Sequence, residues 1–180
     1  MTEERFREFF AAHFADVWRF ARRRTESDAE ADDIAAEAFA VAWRRRADVP
    51  ADAARLWLFG VARHVLSNHR RQAERGRRLY LRLATVEAPA AAYADAPPSE
   101  QAVWAALAAL SEDDRELLLL RAWDGLAVAD IAVVLGITAA NVSSRLHKAK
   151  ARLRRELDRR DPDAGGHVPD ESHARKEQRP

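Results

Sequence analysis

The sequence predicts an all-α protein of two small helical domains joined by a flexible linker, the second domain containing a helix-turn-helix. Three observations carry that prediction. Before residue 82 and again after residue 100, apolar residues return at three- and four-residue steps, which places them on one face of successive helices. Between these halves, residues 83–99 hold three prolines, many alanines and no basic residue, without a sustained apolar period. The third is the stretch Leu126 to Leu153, where Val128, Ile131, Ala132 and Leu135 form one short apolar face. There Gly136 breaks the run, and Thr138 is placed to cap the helix that follows.

Taken in order, Phe6, Phe9, Phe10, Phe14, Val17, Trp18 and Ala21 mark a first amphipathic helix, closed by Arg22 to Arg24 at its negative dipole end. Thr25 to Asp28 is a break with capping residues. A second helix is expected from about Asp28 to Arg46, turning Ile34, Ala35, Ala38, Phe39 and Ala42 to a core and leaving Asp32, Asp33 and Glu37 more exposed. Val49-Pro50 ends it, and Asp52 is the expected cap of a third helix that runs past Arg71 through Leu56, Leu58, Phe59, Val61, Ala62, Val65 and Leu66. Trp57 and Phe59 lie on different sides of this helix, so one of them is a candidate stacking surface, with burial of both under neighbouring helices as the competing reading.

Beyond the linker, a helix from about Ser99 to Leu110 carries Val103, Trp104, Leu107 and Leu110. Ser111 caps the next, whose acidic first turn leads into the apolar run Leu117 to Leu120. Gly125 ends that helix and delivers the chain to the helix-turn-helix. In its second helix Val142, Leu146, Ala149 and Leu153 share one side, while Ala140, Ser144, His147, Lys148, Ala151 and Arg155 occupy the other. Residues 158–180 are polar, mixed in charge and rich in Pro and Gly, too poor in apolar surface to fold alone.

Charge sorts these segments by partner. The chain as a whole carries 30 Lys and Arg against 29 Asp and Glu, so net charge alone announces nothing. Locally, Glu26 to Glu37 holds six acids and no base, Arg63 to Arg82 seven bases and one acid, and Thr138 to Arg155 six bases and no acid. At least two kinds of partner surface follow. The last segment suits the phosphate-lined major groove, although a solvated basic face on an ordinary helical hairpin has the same composition. The run from Ser67 to Arg82 interleaves bases with amides and aromatics, as single-stranded or melted nucleic acid requires, with a solvated helix end as the competing reading.

Cysteine is absent, which removes disulfides, thiolate zinc sites and cysteine nucleophiles together. The six histidines show no metal-ligand pair on one helix face. MTEERFREFF lacks the continuous apolar segment of a signal peptide or membrane span, so no membrane insertion and a cytoplasmic location are expected. No catalytic triad or phosphate loop is apparent; neither an enzyme nor a cofactor is expected.

Three ordered blocks resemble the extracytoplasmic-function group of RNA polymerase sigma factors. The first is Glu30-Ala31-Asp32-Asp33-Ile34 with Glu37-Ala38-Phe39 and Ala42-Trp43. The second is Arg55-Leu56-Trp57-Leu58-Phe59-Gly60-Val61-Ala62-Arg63. Leu110-Ser111, Asp114-Arg115-Glu116, Leu120-Arg121, Gly125-Leu126, Ile131-Ala132, Leu135-Gly136-Ile137-Thr138, Val142 and Arg145-Leu146 form the third. The resemblance implies sigma region 2 over 1–82, the linker over 83–99, region 4 over 100–157 and a tail over 158–180.

It further implies a factor that binds core RNA polymerase and directs initiation at promoter DNA, with an anti-sigma factor as a further potential partner. On this resemblance Asp32, Asp33, Glu37, Phe39 and Trp43 contact polymerase. Trp57, Arg63, His64, Asn68, His69, Arg70 and Arg71 hold the minus-ten strand. Arg121, Thr138, Asn141, Ser143, Ser144, Arg145 and Lys148 meet the minus-thirty-five duplex. Ala36, His64 and Ser143 stand where the family commonly has Gln, Asn and Arg. A helix-turn-helix regulator that works without polymerase is the alternative. Fully extended, the linker reaches about 60 Å at about 3.3 Å per residue, beyond the ~34 Å turn of duplex DNA, so the two domains are expected to reach separate elements.

Overall fold

The computed structural model describes residues 1–81 and 97–160. Seven α-helices account for these segments: α1 (Glu3–Arg22), α2 (Asp28–Arg44), α3 (Ala54–Leu81), α4 (Pro98–Ala108), α5 (Glu112–Ala122), α6 (Val128–Leu135) and α7 (Ala139–Arg160). Of the expected linker over 83–99, residues 83–96 lie outside the described residues, as do residues 161–180 of the expected tail over 158–180. Among the described residues no single helix is long and apolar enough to cross a membrane.

The caps read from sequence are formed at three starts. Ser27 Oγ accepts the Glu30 amide at 3.1 Å, Ser111 Oγ that of Asp114 at 3.3 Å, and Thr138 Oγ1 that of Asn141 at 3.2 Å. Each hydroxyl satisfies one of the orphan donors of a first turn, an interaction worth ~1 kcal/mol. Asp52 departs from the expectation: it sits inside a 3-10 turn, Ala51–Ala53, and α3 begins at Ala54. Pro50 fixes an extended entry there, and the tight turn leads the chain into the helix without a side-chain cap. Two helices extend into segments expected to be linker and tail. Helix α4 starts at Pro98, a residue whose missing N–H costs nothing in a first turn. Helix α7 continues to Arg160, where Arg159 and Arg160 both pair with Glu156 and place positive charge at the helix C-terminus.

Helices α1, α2 and α3 pack pairwise into a three-helix bundle. Alanines 31, 35, 38 and 42 on α2 are buried and let the neighbouring backbones approach, while Ile34 fills the space between. Phe20 of α1 stacks on Phe59 of α3 with ring centroids 4.7 Å apart. In the second half, α7 is the common element, packed on α4, α5 and α6.

The halves also touch each other. One apolar cluster runs from Val17, Phe20 and Phe59 into Leu117, Leu120, Ile131 and Leu146, and α3 packs directly on α6. A smaller cluster of Leu107, Leu110, Leu118, Leu119 and Ala149 belongs to the second half alone.

Candidate nucleic-acid interface

Helix α6 ends because Gly136 adopts φ +67° and ψ +32°, a left-handed conformation that returns its N–H to the Ala132 and Val133 carbonyls. The chain then bends by 103° into α7, within the range of helix-turn-helix motifs. Val142, Leu146 and Ala149 are buried, so the apolar side of α7 is fixed against α5 and α6. Asn141, Ser143, Ser144, His147 and Lys148 consequently face outward. Arg145, on the flank, pairs with Asp113 at 2.8 Å. Arg121 is exposed at the end of α5 and donates to the Leu126 carbonyl at 2.9 Å, bracing the loop before α6. Thr138 is committed to capping through its hydroxyl oxygen, but it is exposed and its O–H proton points wherever an acceptor lies.

Helix α3 divides its seven candidates among three faces. Trp57, His64, Asn68 and Arg71, separated by steps of seven, four and three, make one outer stripe. Asn68 Oδ1 accepts from Arg71 at 2.9 Å, which holds the amide and guanidinium together. The Arg45 guanidinium lies 5.6 Å from the half-buried Trp57 ring, whereas Phe59 is fully buried. Arg63 and Arg70 lie on a second face, lining a groove of about 110 Å³ between the halves. His69 turns to a third side, where it meets Glu37 of α2 at 2.8 Å.

On α2, the outward positions Asp32, Asp33, Glu37 and Trp43 share one face with the small Ala36 and Ala40 between them. Asp32 accepts the Trp18 indole N–H at 2.7 Å. Trp43 is half-exposed, edge-on to Phe6 at 4.9 Å and covered on one side by Arg46. Phe39 is different. It is 3% exposed and surrounded by Phe9, Phe10 and Phe14, so it is a core residue and cannot act as an accessible contact.

Sequence reasoning missed the residues that tie the halves together. Arg24, just beyond α1, has a side chain 2% exposed and binds Glu116 of α5 at 2.8 Å and Asp124 at 2.7 Å. Arg23 also pairs with Asp124, and Arg55 donates to the Asp124 carbonyl at 3.1 Å. Burial works against the Arg24 charge, but the Glu116 and Asp124 carboxylates outweigh it and hold the guanidinium protonated more firmly than usual. In sequence, Arg22 to Arg24 showed only a basic helix end; nothing local pairs it with a loop a hundred residues away.

Comparisons with known proteins agree with this division. Residues 9–76, covering most of α1 to α3, match the model of sigma-70 region 2, and residues 100–153, from α4 into α7, match that of sigma-70 region 4. The extracytoplasmic-function RNA polymerase sigma factor SigL of Mycobacterium tuberculosis is 34% identical over 156 residues, 84% of this chain and 88% of the relative. The chain belongs to the extracytoplasmic-function sigma factors. Another relative, the probable RNA polymerase sigma-C factor of Mycobacterium bovis, is 34% identical over 81% of this chain and 79% of its own. Among solved structures, CnrH in complex with the cytosolic domain of CnrY matches with a TM-score of 0.64 at 25% identity, over 88% of this chain and 90% of that one. The sigma factor RpoE of Bartonella quintana, solved with the anti-sigma factor NepR, matches with a TM-score of 0.68 at 23% identity, over 86% and 98%. As a sigma factor the protein binds core RNA polymerase and directs initiation to promoters. The region 2 match thus lies within α1 to α3 and the region 4 match within α4 to α7, and the two halves take those names below.

Proposed function

We propose that three exposed faces divide the work of this sigma factor. The outward face of α2, with Asp32, Asp33, Glu37 and Trp43, docks on core polymerase; its carboxylates set register on a basic or amide-rich surface and Trp43 adds apolar contact. The outer stripe of α3, Trp57, His64, Asn68 and Arg71, holds the displaced minus-ten strand. Unstacking a base costs a few kcal/mol, which stacking, base-edge hydrogen bonds and phosphate contacts on this stripe must offset. Arg63 belongs to the same minus-ten surface, as do His69 and Arg70 once Glu37 and Glu112 are displaced from them. Helix α7 enters the minus-thirty-five major groove with Asn141, Ser143, Ser144, Arg145 and Lys148, while Arg121 and Thr138 meet flanking phosphates.

The observation that carries this reading is the 103° bend into a helix whose buried side is apolar and whose open side carries Lys148 and small serines. An anti-sigma factor is proposed as a further partner, because the fold matches a sigma factor solved with one. The protein acts as a non-catalytic subunit and works in the cytoplasm, where the polymerase is.

Lys148→Ala tests the placement of α7. With core polymerase on a promoter fragment, binding should weaken across sequences and the slope of log affinity against log salt should flatten by about one unit. An unchanged slope removes Lys148 from phosphate contact.

A further inference from the structure

The start of α5 presents four carboxylates, three in its first turn and Glu116 in the next, and each one holds an arginine from another helix or loop. Glu112 pairs with Arg70 of α3, Asp113 with Arg145 of α7, Asp114 with Arg152 of α7, and Glu116 with Arg24 after α1. Helix capping and the macrodipole explain acids at this position, but not their capture of guanidiniums from both faces assigned to DNA.

Arg70 also donates to the Arg24 carbonyl at 3.2 Å, so the grip of Glu112 on α3 and that of Glu116 on the end of α1 form one continuous contact. The contact is imperfectly satisfied: Arg23 Nε and Glu116 Oε1 are buried without a hydrogen-bond partner. Buried charges of this kind add little net stability, because desolvation opposes their attraction. Such an interface is suited to opening.

We propose that the acidic start of α5, Glu112 to Glu116, is an internal substitute for DNA phosphate, latching region 4 onto region 2 and occupying Arg70 and Arg145 until a polyanion displaces it. The inference rests on the assignment of α3 and α7 to DNA. A nucleic-acid backbone supplies the same ligand chemistry as the carboxylates, anionic oxygens for arginine forks, at higher charge density. Apparent affinity falls by the closed fraction, so a protein open about one tenth of the time binds DNA about tenfold more weakly than its open form.

Because the sequence contains no cysteine, spin labels can be placed at will. Ala12→Cys on α1 and Ala105→Cys on α4 are exposed and lie outside the faces assigned to DNA. In the full chain, pulsed dipolar measurements should show one narrowly distributed separation, lengthening when a mixed-sequence duplex with a single-stranded bubble is added. Glu112→Gln with Glu116→Gln should lengthen it without DNA and tighten binding to that probe by about tenfold. The control pair Glu4→Gln with Glu8→Gln, which removes the same charge elsewhere, should change binding less than twofold.

Glu112→Gln with Asp113→Asn alters only carboxylates 66% and 74% exposed. It carries the same expectation if the Glu116 change prevents folding. DNA binding at unchanged separation, or a gain no larger than the control's, overturns the latch and leaves the DNA assignment standing. Opened variants that bind no DNA overturn both.

Discussion

At the scale of single residues, one carboxylate shows what a paired charge does to titration. Asp16 of α1 receives Arg19 at 2.6 Å and Arg55 of α3 at 2.9 Å. Burial alone would raise its carboxyl, but the two hydrogen bonds and the charges of Arg55 and Arg19 outweigh it, so Asp16 titrates below its ordinary 3.8. The fold therefore favours the ionised form. Its contribution to stability is complete above the unfolded value near 3.8 and is lost as the pH falls through the lower folded value. Asp16→Asn should flatten the loss of stability in that acid range and leave the pH dependence near neutrality unchanged, as read from urea unfolding at a series of pH values. An acid limb identical to that of the wild type would show that the Arg55 contact contributes nothing.

At the scale of elements, the turn between α6 and α7 fixes how α7 is presented. A Cβ built on Gly136 would meet nothing within 4 Å, yet φ there is +67°. The cost of Gly136→Ala is therefore confined to the backbone, about 1–2 kcal/mol for a left-handed L-residue, and thermal or urea unfolding of region 4 should report it. A loss above that range would mean that α6 and α7 had also come out of register. This element was legible in the sequence because glycine, threonine and the apolar steps each act locally. The Asp52 cap was misplaced because a 3-10 turn and a helix N-terminus use the same residue types over four positions. Phe39 satisfied the resemblance and the core period together; only the surrounding phenylalanines decide between them.

At the scale of the whole molecule, two helical halves were legible, but their docking was not. Their contact depends on Arg24 meeting Glu116 and Asp124, partners separated by 92 and 100 positions, and no periodicity encodes that. The same contact divides the α3 candidates: periodicity places Arg63 and Arg70 away from the outer stripe, while only the packed structure shows that they face region 4. On the proposed assignment, DNA competes with intramolecular carboxylates for Arg70 and Arg145. Linking two modest DNA sites through one chain raises affinity by effective concentration, and only an opened molecule gains it.

The most direct measurement of the central claim is run-off transcription on genomic fragments by core polymerase with and without this protein. Discrete start sites should appear only when the protein is present, and should be lost when Trp57 and Arg71 are both replaced by alanine in a variant that still binds core. Core polymerase that binds the protein yet gains no protein-dependent start site would contradict it.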